Sequence, residues 1–151
     1  MMKEQLKLKN QVCFPLYATS RMITQKYKPL LDELEVTYPQ YIVLMVLWEN
    51  DNIPIKQISE KLLLETNTLT PLLKRMQSRG IITRTRSKED ERVVTISLTE
   101  DGKKLEEKAA DVPCKLLCGI EELGITKEEL TELKNILDKI FFKFNQETNK
   151  K

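Results

Sequence analysis

At 151 residues the chain can bury a core without disulfide or metal staples, and one domain is expected. Lys and Arg total 25 against 23 Asp and Glu, so the net charge of +2 points to no partner and only the distribution of charge informs. No apolar run reaches membrane-spanning length and no segment has the order of a signal peptide, so a cytoplasmic protein is expected, with Cys13, Cys114 and Cys118 reduced at rest.

The stretch LKLKNQVCFPLYATSRMITQKYKPLLDELEV reads as a long helix, a break and a short helix. Proline inside a helix removes a hydrogen bond but is tolerated in the first turn. Pro15 therefore sets the start near Asn10 or Gln11, with Cys13 in the first turn, and Pro29 ends or kinks the helix, leaving a short one through Leu34. Thr37 caps the next helix, with Pro39 early in it. Ile42, Val43, Leu44, Val46 and Leu47 make this helix apolar nearly all round, so it belongs at the centre. Ile55, Ile58, Leu62 and Leu63 mark a short amphipathic helix.

Leu69, Leu72, Leu73 and Met76 then follow i, i+3, i+4, i+7, and Gly80 suits the position just past a helix C-terminus. Pro71 places the cap of this helix at Thr66 or Asn67. IITRTR and RVVTISL alternate and are β-branched around a charged SKEDE, a two-stranded hairpin. Thr99 opens a further helix interrupted at Pro113, and Thr126 with Glu129 forms a capping box for the last one. Leu130, Leu133, Leu137, Ile140 and Phe144 keep a 3–4 spacing along it. Such a seam serves core packing or a helix-to-helix dimer contact, and the dimer is favoured.

Residues 67–88 hold six Lys or Arg and no Asp or Glu, so on a chain of net +2 the remainder sums to −4. A local cationic patch on an acidic body suits a molecule that presents one face to a polyanion. Helix, helix, glycine, hairpin is the order of a winged helix-turn-helix, a mainly α fold with a small β-hairpin wing. The major groove of DNA admits one α-helix, whose N-terminal residues reach base edges. That end offers Asn67, Thr68, Thr70 and Pro71, with Lys74 and Arg75 one turn on. The wing brings Arg84, Arg86, Lys88 and Arg92, and Asp90 is placed to orient Arg92 by a charge-assisted hydrogen bond. The bland reading of the same pattern is a winged helix used for docking another protein.

VTYPQYIVLMVLWE, NTLTPLLKRM and RSKEDERVVTISLTEDG resemble the MarR family of dimeric winged-helix regulators. The resemblance is strongest to the OhrR-like branch that senses organic hydroperoxides, and it covers about residues 5 to 145. It implies a single domain over 1–151, with dimerisation helices at about 5–34 and 99–146 flanking a DNA-binding part at about 37–98. The implied partners are a second copy of the chain, a pseudo-palindromic double-stranded operator, and an oxidant as signal, with no cofactor. That branch senses oxidant through a cysteine in a context like NQVCFPLY, which matches Cys13, and two tyrosines of the other subunit hydrogen-bond its sulfur, matching Tyr27 and Tyr38. First-turn placement aims backbone N–H dipoles at the Cys13 sulfur and is expected to favour the reactive thiolate.

In the two-cysteine type, a C-terminal cysteine forms a disulfide with the sensing cysteine of the other subunit. Cys118, 105 residues beyond Cys13, is the favoured match, with Cys114 one turn earlier on the same face as the alternative. Two competing readings stand beside this one. One is a regulator released by a small apolar or phenolic ligand held near Tyr17, Tyr27 and Tyr38. The other is a thiol peroxidase, for which the chain lacks any histidine. A metal sensor would depend on thiols and carboxylates alone, and no ligand spacing supports one.

Overall fold

The computed structural model describes residues 3–87, 90 and 93–148. The chain divides into two compact units, residues 1–112 and 113–151. The first unit opens with two short 3-10 turns, Glu4–Leu6 and Leu8–Asn10. Extended Gln11 then breaks the path, and α1 (Cys13–Asp32) begins two residues later than Gln11. Cys13 is therefore its first residue and Pro15 its third, where no amide donor is required.

Pro29 neither ends nor kinks α1 into two pieces, contrary to the expectation: the helix runs through it to Asp32. Only one carbonyl loses its donor, and the last turn is held by Leu31, which is 1% exposed in the core. The expected short helix through Leu34 is instead a turn closed at Glu35 in the left-handed region, φ 53°. Arg79 clamps this turn, donating to the Glu35 carbonyl and pairing with its carboxylate at 3.1 Å.

In α2 (Tyr38–Glu49) the Gln40 side chain accepts the Thr37 N–H at 2.9 Å, and Pro39 stands at the second position. Tyr41, Val43, Leu44, Val46 and Leu47 are all buried, so α2 is the central helix as its composition required. A strand the sequence reading lacked follows: β1 (Ile53–Pro54) pairs antiparallel with β3 (Val94–Leu98), Ile53 opposite Ile96. Two residues are too few to show a period of two, and Pro54 is tolerated on an edge. The sheet is thus three-stranded, in the order β1-β3-β2, with β2 spanning Ile82–Arg86.

α3 (Ile55–Leu62) buries Ile55 and Ile58. Leu63 does not extend that stripe; it ends the helix with φ 50° and is 58% exposed. α4 (Thr66–Ser78) buries Leu69, Leu72, Leu73 and Met76. Its end is closed by Gly80 at φ 71°, whose N–H reaches the Gln77 carbonyl at 2.9 Å while Ile81 N–H reaches that of Met76 at 3.3 Å. Such paired bonds satisfy the orphan carbonyls of a helix end. The β2–β3 hairpin runs in register from Ile82 opposite Leu98 to Arg86 opposite Val94. Thr99 caps α5 (Glu100–Ala109), its Oγ1 accepting from Gly102 N–H at 3.1 Å and donating to the Gly80 carbonyl at 2.6 Å.

α6 (Val112–Glu121) begins at the last residue of the first unit. α7 (Lys127–Thr148) carries the capping box: Thr126 N–H donates to the Glu129 carboxylate at 2.8 Å, and Glu129 N–H to Thr126 Oγ1 at 3.2 Å.

Candidate nucleic-acid interface and thiol sites

The core face of α4 orients its other face outward. Asn67, Thr68, Pro71, Lys74 and Arg75 are exposed and Thr70 is half-buried. The cap is Glu65 rather than Thr66 or Asn67: its carbonyl accepts from Thr68 and Leu69 N–H at 3.0 and 2.9 Å. Pro71 is consequently the sixth helical residue, outside the first turn in which the sequence reading placed it. The cost is one missing donor to the Asn67 carbonyl. The preceding turn is tied by Thr70 Oγ1, which donates to the Thr66 carbonyl at 2.7 Å.

On the wing, Arg86 and Asp90 are exposed and Arg84 is half-buried. Lys88 and Arg92 lie outside the described residues, as does the expected Asp90–Arg92 bond. Asp90 N–H donates to Ser87 Oγ at 3.3 Å, and its carbonyl accepts from Val93 N–H at 2.9 Å. Arg84 shares the strand face of buried Ile82 and lines a cavity of about 610 Å³ with Lys56, Gln57, Thr66 and Thr70. Its Nε is shielded and has no hydrogen-bond partner among the described residues. Lys56 and Gln57 escaped the sequence reading because nothing in the local pattern of α3 marks them.

Cys13 is exposed at the start of α1, beside the exposed apolar residues Val12, Phe14, Leu16 and Tyr17. Fourteen residues of helix separate it from Tyr27, a rise of about 21 Å, so these two cannot meet within one chain. Tyr27 and Tyr38 do meet each other: their ring centroids are 4.9 Å apart. Tyr41 completes the group at 5.9 Å from Tyr27 and in turn meets Trp48 at 6.1 Å. Burial, then the neighbouring phenols of Tyr38 and Tyr41, push the Tyr27 hydroxyl up to about 12. The sequence reading missed Tyr41, although its place one helical turn after Tyr38 was available as a signal. Tyr17 is 60% exposed and its hydroxyl accepts from Arg21 at 2.8 Å.

In the second unit, Cys114 and Cys118 are both exposed, one turn apart on α6. A hydrogen bond to Cys114, then the charge of the Cys114 sulfur, raises the Cys118 thiol above its usual range. Along α7, Leu133, Leu137, Ile140 and Phe144 are exposed and Leu130 is half-buried, with Ile136, Phe141 and Phe142 exposed as well. Among the described residues there is no cluster of three metal-ligating side chains, and no helix is long and apolar enough to cross a membrane.

A polar, acid-free helix face set beside a β-ribbon, on a mostly helical frame, defines a winged-helix protein. Residues 25–109 match the family described as transcriptional regulator SarA/Rot. The chain is 53% identical over 134 residues to the organic hydroperoxide resistance transcriptional regulator of Bacillus subtilis, covering 89% of each. It is similar to reduced AbfR of Staphylococcus epidermidis bound to DNA, with a TM-score of 0.79 and 32% identity over 97% of this chain and 98% of that one. It is also similar to disulfide-formed AbfR, with a TM-score of 0.63 and 33% identity over 91% and 95%. The chain belongs to the MarR-type winged-helix transcriptional regulators, in the branch of the organic hydroperoxide regulators.

Proposed function

We propose that this chain is a redox-sensing DNA-binding transcriptional regulator, a repressor that leaves its operator when an organic hydroperoxide oxidises Cys13. The observation that carries this reading is an exposed cysteine opening α1 in a chain 53% identical to an organic hydroperoxide regulator. The protein works in the cytoplasm as a homodimer. Leu130, Leu133, Leu137, Ile140 and Phe144 of α7 supply apolar surface that a second copy covers. Each α4 enters a major groove of a pseudo-palindromic site, with Asn67, Thr68, Thr70 and Pro71 leading and Lys74 and Arg75 on phosphate or guanine. The wing, with Arg84, Arg86, Lys88 and Arg92, and with Asp90 orienting Arg92, lies along the adjoining minor groove.

The Cys13 thiolate attacks the outer oxygen of the hydroperoxide, the O–O bond breaks, and an alcohol leaves, giving a sulfenic acid. Tyr27 and Tyr38 reach that sulfur from the other subunit, since the length of α1 keeps Tyr27 from its own Cys13. Cys118, with Cys114 as the alternative, then attacks the sulfenic sulfur of the other chain and releases water, leaving a disulfide. A disulfide requires Cα atoms within about 7 Å, so its formation pulls on the dimer helices and alters the spacing of the two α4 helices. One hydroperoxide is consumed per oxidation without turnover, in keeping with relatives named as transcriptional regulators.

The test measures operator binding by fluorescence anisotropy before and after one equivalent of cumene hydroperoxide. Wild type is expected to release DNA and recover with dithiothreitol, and Cys13→Ser to stay bound. Release of Cys13→Ser as readily as wild type would overturn the reading.

A further inference from the structure

The resemblance accounts for one resolving cysteine, yet α6 holds two thiols. Cys114 and Cys118 stand four residues apart on one helix, both exposed. At that spacing two side chains share a face, with Cβ atoms about 5–6 Å apart. A disulfide needs about 3.5–4.5 Å between Cβ atoms, so closing one here requires local unwinding. The C-terminal end of the segment suits that: Gly119 directly follows Cys118, and the helix ends two residues further on at Glu121. Glycine is among the weakest helix formers, so the turn that holds Cys118 is the one most readily unwound. A Cβ at Gly119 would meet nothing within 4 Å, so packing does not demand glycine there.

We propose that Cys114 and Cys118 act together as a dithiol that takes over the oxidation from Cys13 and stores it as a disulfide within α6. This rests on the reading of Cys13 as the peroxide-reactive thiol. In the step proposed, the Cys114 thiolate attacks the Cys118 sulfur of the Cys13–Cys118 disulfide. The Cys114–Cys118 bond forms, the Cys13–Cys118 bond breaks, and Cys13 leaves as thiolate with the electron pair. No further oxidant is consumed, and Cys13 is free to meet a second hydroperoxide. The placement of the two thiols supports the assignment, because both are exposed four residues apart on one helix face and neither is buried away from the other. A chain with a single resolving thiol would stop at the covalent dimer; this one is built to pass through it.

The experiment follows full-length protein after one equivalent of cumene hydroperoxide by non-reducing gel, intact mass and tryptic mapping. Trypsin cuts at Lys115, between the two cysteines, so the linked pair is visible directly. In wild type the covalent dimer is expected to rise and then give way to a monomer lighter by about 2 Da, with Cys114 linked to Cys118 and Cys13 open to alkylation. In Cys114→Ser the covalent dimer is expected to persist. A wild-type dimer as persistent as that of Cys114→Ser, with no linked pair, overturns the inference. Cys13→Ser treated with oxidised glutathione separates this from the sensing reading: a linked monomeric pair supports the dithiol whatever Cys13 does, and mixed disulfides alone count against it. Absence in wild type of both the transient Cys13-linked dimer and any oxidised form of Cys13, at every time point, would instead sink the sensing reading.

Discussion

Tyr27 of α1 and Tyr38 of α2 lie with ring centroids 4.9 Å apart at an interplanar angle of 46°. Through Tyr41, which is 3% exposed, this pair joins the helix that begins with Cys13 to the central helix of the core. The cluster therefore positions two phenols while linking them to packing that a conformational change would have to disturb.

The first prediction concerns the proton of Tyr27. Its folded value, about 12, lies above the ordinary value of 10.0 because burial and two neighbouring phenols disfavour the phenolate. The stabilisation is fully present below about pH 10 and is lost as pH rises towards about 12. Absorbance titration of the four tyrosines at about 295 nm should show a late-titrating phenol that disappears in Tyr27→Phe. An unchanged titration curve in that variant would contradict the assignment.

Tyr38→Phe removes a hydroxyl and leaves the ring contacts in place. If that hydroxyl donates to the oxidising sulfur of the other subunit, its loss costs about 1.5–3 kcal/mol, the range for hydrogen bonds to charged groups. Oxidation of Cys13 by cumene hydroperoxide should slow by roughly one to two orders of magnitude, with thermal stability little changed. Stopped-flow thiol consumption measures this, and an unaltered rate removes Tyr38 from the site.

Lys74 is exposed on the outer face of α4, one turn after Thr70. As a phosphate contact, it should contribute about equally to every DNA sequence. Lys74→Ala is then expected to weaken specific and non-specific binding alike and to reduce the slope of log K against log salt by about 1 per subunit. A loss confined to one base position would make Lys74 a base-reading residue.

Gly102 lies where α5 passes under the end of β3. A Cβ there would stand 2.1 Å from the Ile81 carbonyl oxygen, and the Gly102 carbonyl already accepts the Trp48 indole N–H at 3.1 Å. Backbone cannot yield as a flexible side chain does, so Gly102→Ala should destabilise by about 3 kcal/mol, the upper part of the usual overpacking range. The midpoint of urea unfolding reports it.

Periodicity made most of the frame legible. Leu69, Leu72, Leu73 and Met76 became the buried face of α4, Gly80 closed that helix, and the Thr126–Glu129 pair capped α7. The acid-free outer face of α4 could be read because burying one face of a helix commits the opposite one to solvent. Motif resemblance, rather than periodicity, singled out Cys13, Tyr27 and Tyr38.

What tertiary structure decided lies where contacts distant in sequence override a local preference. Pro29 stays helical because Leu31 is anchored in the core, and Leu63 turns left-handed to end α3 although its spacing suits the apolar stripe. β1 exists only because β3 offers its edge to Ile53, and the half-burial of Arg84 follows from the strand face it shares with Ile82. Tyr41 joins Tyr27 only once α1 and α2 pack together. The sequence by itself determined which residues must be buried and where helices can begin. Which apolar side chain meets which, and so where a phenol or a guanidinium is held, was decided by packing, because a close-packed interior admits few arrangements and none is encoded in any short segment.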